Sequence, residues 1–316
     1  MPIWTKEELA LPCDERVAVL KPIIVSASRS TDIPAFYADW FFNRLDKGYA
    51  SWRNPFNGKD SYVSFANTRF VVFWSKNPNP LIPYLPILQE KGIGFYIQYT
   101  LNDYDAEQLE PGVPRLTERI DTFKRIVDEH GLGSVVWRFD PLVLTDKISP
   151  DLFLHRISAI AELLEGYTEK LVFSFADISS YRSVARNLRA AGVNYREWNE
   201  ESMIDFARRL ADMRLPFRLA TCAEAIDLEE FGIGHNRCID PELIARRAPD
   251  DVELQSFLQH AKQDSGQRKL CGCILSKDIG AYNTCPHLCR YCYANYSPQT
   301  VTQNFRTHTI NSESII

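Results

Sequence analysis

The sequence predicts an α/β fold: a TIM-like (β/α) barrel, partial, with about six βα units, and a cysteine-rich C-terminal extension folded onto the barrel mouth. Three observations predict it. Short apolar runs of strand length alternate with longer segments of helical spacing. The alternation repeats six times in the same order, strand then helix, which favours a parallel sheet joined by right-handed crossovers. Seven of the eight cysteines follow position 221, in text that has lost this periodicity. A flat, doubly wound sheet is the rival arrangement. The change of text after Arg247 divides the chain into a barrel, residues 1–247, and a cluster-binding extension, residues 248–316.

Strands are expected at 23–27, 70–74, 93–100, 134–139, 171–175 and 217–221, each a β-branched or aromatic run. Helices are expected at 35–47, 81–91, 116–130 and 150–164, as a split pair within 181–213, and from 228 onward. Asp32 and Pro34 open the first helix, and Gly48, Gly92, Gly131, Gly133 and Gly166 stop the helices they follow. The end, TVTQNFRTHTINSESII, reads as a polar tail.

With 316 residues, 45% hydrophobic and 24% charged, the chain can bury about three quarters of its unfolded surface and needs no disulfide staples. A formal net charge of −5 without a basic block gives no strong nucleic-acid signal. No apolar run approaches the roughly 20 residues of a membrane span, so no membrane partner is expected. The opening MPIWTKEELALPCDER lacks the regions of a signal peptide, which makes the cytoplasm the expected compartment. Neither GxGxxG after a strand, nor GxxxxGK[ST], nor GxSxG occurs, so nucleotide-loop and serine-hydrolase readings have no local support.

Chemistry in parallel βα folds gathers at the carboxyl ends of the strands, and here all six ends are polar. They predict a ring in which Arg29, Lys76 and Arg138 face Asp32, Asp140, Asp177 and Glu224. Arg29, Lys76 and Glu224 are candidates for holding a cofactor, and Tyr99, Arg138 and Asp140 for catalysis, with Tyr99 as a hydrogen or proton donor. The plain alternative is that these groups pair with one another or cap helices, as Asp32 would. Cations at such a mouth suit a carboxylate or phosphate, and carboxylates suit amines or ribose hydroxyls.

The sharpest local signal is Cys285-Pro286-His287-Leu288-Cys289-Arg290-Tyr291-Cys292, a CxxxCxxC. Three thiolates this close can bind three irons of a cubane and leave the fourth open. Zinc would want a closed tetrahedron and would have to recruit His287 or a distant cysteine. Cys222, Cys238, Cys271 and Cys273 remain as four further thiols, enough for a second [4Fe-4S] cluster or a structural zinc, with His235 near enough to replace one. Plain burial of some of them is the other reading. Cys13, alone near the N-terminus, reads as packing. Tyr282, Tyr291, Tyr293 and Tyr296 flank the triad, where they would shield a cluster from water or stack on adenine.

The triad's spacing and its tyrosine resemble the cluster loop of radical S-adenosylmethionine enzymes. The resemblance implies a partial barrel and a [4Fe-4S] cluster whose open iron chelates S-adenosylmethionine. It also implies a 5'-deoxyadenosyl radical formed after electron transfer from a low-potential donor such as flavodoxin or ferredoxin. Members usually carry the triad after the first strand; here it follows the sixth, and the first-strand loop SASRSTDIP has no cysteine. No Gly-Gly-Glu follows the second strand.

Over nearly its full length the chain resembles the bacterial family known as domain of unknown function 1848, through SASRSTDIPAFYADWF, NPFNGKDSYVSF, VVFWSKNPNPL, WRFDPLVLT, CAEAIDL, CGC and NTCPHLCRYCYAN. The expectation is therefore an atypical radical S-adenosylmethionine enzyme, its substrate a small molecule or unknown, with Cys285, Cys289 and Cys292 as cluster ligands. The alternative is a zinc or iron-sulfur barrel with structural cysteines that binds a small ligand without radical chemistry.

Overall fold

The computed structural model describes residues 6–10, 16–54, 57–268 and 270–316, so Cys13 lies outside the described residues. In chain order the elements begin β1 (Lys6–Ala10), β2 (Arg16–Leu20), β3 (Ile24–Ala27), α1 (Ile33–Phe36), α2 (Ala38–Lys47), β4 (Tyr49–Arg53), β5 (Asp60–Ser64), β6 (Phe70–Ser75) and α3 (Leu85–Glu90). They continue with β7 (Gly94–Thr100), α4 (Leu116–His130), β8 (Val135–Leu142), α5 (Pro150–Leu163), β9 (Lys170–Phe175), α6 (Arg182–Ala190), α7 (Glu200–Asp212) and β10 (Arg218–Thr221). The last are β11 (Ile233–His235), α8 (Pro241–Arg247), α9 (Val252–Gln259), β12 (Lys277–Asp278) and α10 (Pro298–Thr307).

Eight strands form one sheet in the order β11-β10-β9-β8-β7-β6-β3-β12, and every neighbouring pair is parallel. The six expected strands are its central six. Two edges were not expected: β11, and β12, which the cysteine-rich segment lays beside β3. Neither sheet closes on itself, so the expected α/β class holds as helices packed on a large parallel sheet, without a closed TIM barrel among the described residues. Residue alternation gives the reason. Val71, Phe73, Ile97, Trp137 and Phe173 face the layer built from α2, α4, α5 and α7. Their neighbours Ile24, Phe70, Val72, Tyr96, Val136 and Val172 face the other side, where a closed barrel would meet its own opposite strands. Here α8 and α9 cover that side with Leu243, Ile244 and Leu254, so those six side chains, each worth about 1.5–3 kcal/mol on burial, are buried without closure.

Capping explains the helix boundaries. Asp32 accepts from the Ala35 amide at 3.0 Å, Ser149 caps α5 and Asn199 caps α7, while Gly48 ends α2 at a φ of +83°, where a side chain would be strained. A second sheet, β1-β2-β5-β4, escaped the sequence reading, as did α9 and α10. The end of the chain, read as a polar tail, is docked: Trp40 Nε1 donates to the Ser312 carbonyl at 2.8 Å, and the Ser51 amide to that of Glu313 at 2.8 Å.

Candidate functional site

A cavity of about 310 Å³ opens at the carboxyl edge of the parallel sheet. Its walls are the residues that follow β3, β6, β7, β8, β9, β10 and β11, closed on one side by the cysteine-rich segment. A depression of about 380 Å³ beside Leu45, Phe65, Arg69 and Glu253 holds no comparable group; there Arg69 is paired with Glu253.

The three expected cations all line this cavity, and most of their donors are already engaged. Arg138, 3% exposed, donates from Nε to Asp140 at 3.0 Å and from Nη1 to Gln98 at 3.1 Å and the Cys238 sulfur at 3.1 Å. Asp140 also accepts from the Ser174 hydroxyl. Lys76 donates to Glu110 at 2.7 Å and to the Tyr291 hydroxyl at 2.9 Å. Burial works to raise the Glu110 carboxyl, but Lys76 and Arg119 outweigh it and hold it down at about 2. Arg29 differs. Its guanidinium lies 4.7 Å from the Trp74 ring and is held through Nη1 by Ser26 and, at 3.8 Å, by the Asp278 carboxylate, while its buried Nη2 has no hydrogen-bond partner. The pairing alternative therefore holds for all three cations, and Arg29 in addition keeps one donor for a ligand.

The carboxylates divide similarly. Asp32 caps α1 as expected and also accepts from Ser75 Oγ at 2.7 Å, the Lys76 amide at 2.8 Å and His287 Nε2 at 2.8 Å. Asp177 sits exposed at the rim, accepting from the Ser180 amide. Glu224 is turned to the β9 backbone, where it accepts from the Phe175 amide at 2.9 Å, and burial pushes its carboxyl up to about 7. Tyr99 does not reach the cavity: its ring stacks on Phe123 and its hydroxyl donates to the Arg119 carbonyl at 3.1 Å. As the middle residue of an inward-outward alternation it points to the helix layer, which removes it as a hydrogen donor.

Cys285, Cys289 and Cys292 all line the cavity. Their loop is pinned from both ends. Tyr37 donates to the Thr284 carbonyl at 2.6 Å, Asn295 to that of Cys285 at 2.8 Å, and the Arg290 amide to that of Leu109 at 2.8 Å. At Gly112 a Cβ would fall 2.8 Å from His287 Cα and from the Pro286 carbonyl, so only glycine permits this approach. Burial raises all three thiols; backbone N–H groups of His287 and Asp32 at Cys285, and of Ala294 and Asn295 at Cys292, work against it. His287 has both ring nitrogens engaged, by the Gly112 carbonyl at 2.9 Å and by Asp32, so it is not available as a ligand. His235, at the end of β11, is exposed and does not line the cavity.

The other four thiols meet on the same cavity wall. Cys222 and Cys238 sulfurs are 3.5 Å apart, Cys273 contacts both Cys238 and Cys271, and the Ile239 amide donates to Cys273 at 3.3 Å. Among the described residues no group of three or more His, Cys, Asp or Glu side chains is placed so as to hold a metal ion.

Several site residues were not legible in sequence. Glu110 and Arg119 lie beyond β7 in text that resembles any solvated stretch, yet both are buried. Asn102, two residues past β7, binds Glu110 at 2.9 Å and receives the Asp140 amide at 2.8 Å; the polar strand end was its signal. Asp278, brought by β12, accepts from Ser26 at 2.7 Å, Ser28 at 2.8 Å and the Arg29 amide at 3.0 Å.

Fold and site together define an α/β protein with an open parallel sheet and a cysteine-lined cavity at its carboxyl edge. The chain belongs to the family described as Domain of unknown function (DUF1848), whose model matches residues 24–294. That span contains every residue lining the cavity, from Ser28 to Ala294. No curated protein and no solved structure matches the chain.

Proposed function

We propose that the chain is an iron-sulfur enzyme of the radical S-adenosylmethionine type, with Cys285, Cys289 and Cys292 holding a [4Fe-4S] cluster whose fourth iron faces the cavity. One observation carries the proposal: the three cysteines of a single CxxxCxxC loop line a cavity at the carboxyl edge of a parallel sheet. The donor set fits the group. Three thiols are available, backbone N–H groups are aimed at two of them, and the loop's own histidine is engaged by Asp32. Three ligands and no fourth is the condition for an open iron. The one-directional strand order from β3 to β11 is also that of a partial (β/α) barrel, which supports the same class.

When bound, such a cluster supplies the electron that cleaves the sulfonium of S-adenosylmethionine and yields a 5'-deoxyadenosyl radical. The chain's own residues bind and orient. Arg29 Nη2 offers a charge-assisted hydrogen bond to a carboxylate or phosphate. Trp74, Phe175 and Tyr293 present apolar or aromatic surface on the walls. Lys76, Glu110 and Tyr291 form a buried tie that holds the triad loop against the strand ends. Arg138 and Asp140, which line the cavity, act as positioning residues, and Glu224, outside its lining, braces the end of β9 through the Phe175 amide. A small-molecule substrate, a cytoplasmic setting and a flavodoxin- or ferredoxin-type donor complete the proposal.

Protein reconstituted with iron and sulfide without oxygen tests it. On reduction, an electron paramagnetic resonance signal should appear and shift when S-adenosylmethionine is added, and 5'-deoxyadenosine should form. Cys289→Ala should abolish both. Stoichiometric zinc without iron, or unchanged cleavage in Cys289→Ala, refutes the proposal.

A further inference from the structure

We propose that Cys222, Cys238, Cys271 and Cys273 form a second metal centre, a thiophilic metal held by four thiolates as zinc or an iron-sulfur cluster, on the wall of the same cavity. The four come from three separate places in the chain. Cys222 follows β10, Cys238 follows β11, and Cys271 and Cys273 arrive with the segment before β12. Contacts run in series, Cys222 to Cys238 at 3.5 Å, Cys238 to Cys273, and Cys273 to Cys271.

Simple packing does not account for what surrounds them. A buried thiol behaves as a small apolar group and needs no cation. Here Arg138 aims Nη1 at Cys238 from 3.1 Å, Asn236 Nδ2 approaches the same sulfur at 3.4 Å, and the Ile239 amide ends on Cys273 at 3.3 Å. Guanidinium and amide donors buried against sulfur are stabilising when the sulfur carries negative charge, as a metal-bound thiolate does. A disulfide is not the explanation, because all four are free and the nearest sulfurs stand well beyond the roughly 2.05 Å of an S–S bond.

Four thiolates suit either a zinc ion or an iron-sulfur cluster, and which of the two is bound is read from the protein's metal content. All four thiols also line the cavity, which places this centre where a bound ligand would touch it.

Iron, sulfide and zinc counted per chain test the proposal in the full-length protein reconstituted without oxygen. Three chains are compared: wild type, Cys285→Ala/Cys289→Ala/Cys292→Ala, and Cys271→Ser/Cys273→Ser. The triad variant should keep a bound metal, either zinc or iron with sulfide, and the Cys271/Cys273 variant should lose that share and keep the triad's. Circular dichroism and urea unfolding show whether each chain is folded. Should the triad variant fail to fold, the Cys271/Cys273 chain gives the answer alone, since iron and zinc both equal to wild type overturn the proposal. A folded triad variant that holds neither iron nor zinc overturns it too. Wild-type iron in the triad variant would instead refute the triad assignment and leave this centre standing.

Discussion

Replacing Glu110 by Gln removes one charge from the most enclosed ion cluster of the site while keeping its shape. The carboxylate's Oε1 accepts from Lys76 at 2.7 Å, from Asn102 at 2.9 Å and from the Tyr291 hydroxyl, and Oε2 lies 3.8 Å from Arg119 Nη1. The Glu110 and Arg119 side chains are 1% and 0% exposed. Breaking a buried pair by removing one partner typically costs about 3–5 kcal/mol, because the other charge stays buried. A second route agrees. The carboxyl moves from 4.5 to about 2 on folding, and at about 1.4 kcal/mol per unit this corresponds to about 3 kcal/mol. For 316 residues, with an unfolding entropy of about 2.1 cal/mol/K per residue, the melting temperature should fall by roughly 5–8 °C. The pH dependence has a fixed sign. A carboxyl whose folded value is depressed contributes stability that is fully present above its unfolded value, and loses it as pH falls from about 4.5 toward about 2. Urea unfolding of wild type and Glu110→Gln between pH 7 and pH 3 should show a constant gap that narrows below about pH 4.5. A gap under about 1 kcal/mol at pH 7, or one that ignores acid, would refute the assigned role of this cluster.

Gly112→Ala places a Cβ 2.8 Å from the His287 backbone and should cost about 1–3 kcal/mol while reducing iron bound by the triad, measured by urea unfolding and metal analysis. Arg29→Met deletes the unpartnered Nη2; loss of one hydrogen bond to a charged ligand, about 1.5–3 kcal/mol, should weaken S-adenosylmethionine binding about 10- to 100-fold by calorimetry. Unchanged affinity would exclude Arg29 from the ligand. Asp32→Ala removes a helix cap and leaves His287, 1% exposed, without its partner, so a loss of about 3 kcal/mol or more is expected in thermal unfolding. Tyr99→Phe should leave 5'-deoxyadenosine formation unchanged, since its hydroxyl is engaged by Arg119 and Thr122 of α4, away from the cavity.

Local text carried the central strands and most helix ends because their causes are local. β7 is an apolar run, α4 is amphipathic from Leu116 to His130, and Gly131 follows as its stop. The cysteine loop and the polar strand ends were legible for the same reason: spacing along the chain already limits which groups can meet. Sheet closure was not, because it depends on what covers the inner face. Nothing in the text after β10 announces that Leu243, Ile244 and Leu254 would do so.

Read by itself, the amino-acid order determined an α/β chain whose reactive groups gather at strand ends and whose thiols crowd near the C-terminus. Tertiary structure alone decided which of those groups remain available. It engaged Lys76 with Glu110 and Arg138 with Asp140, turned Tyr99 into the helix layer, and left Arg29 one open donor. It also brought Cys222 beside Cys238 and Cys238 beside Cys273, across separations of 16 and 35 positions in the chain. Periodicity reports which face a residue takes, but charge pairing and sulfur contacts across such separations arise only when distant segments are packed together.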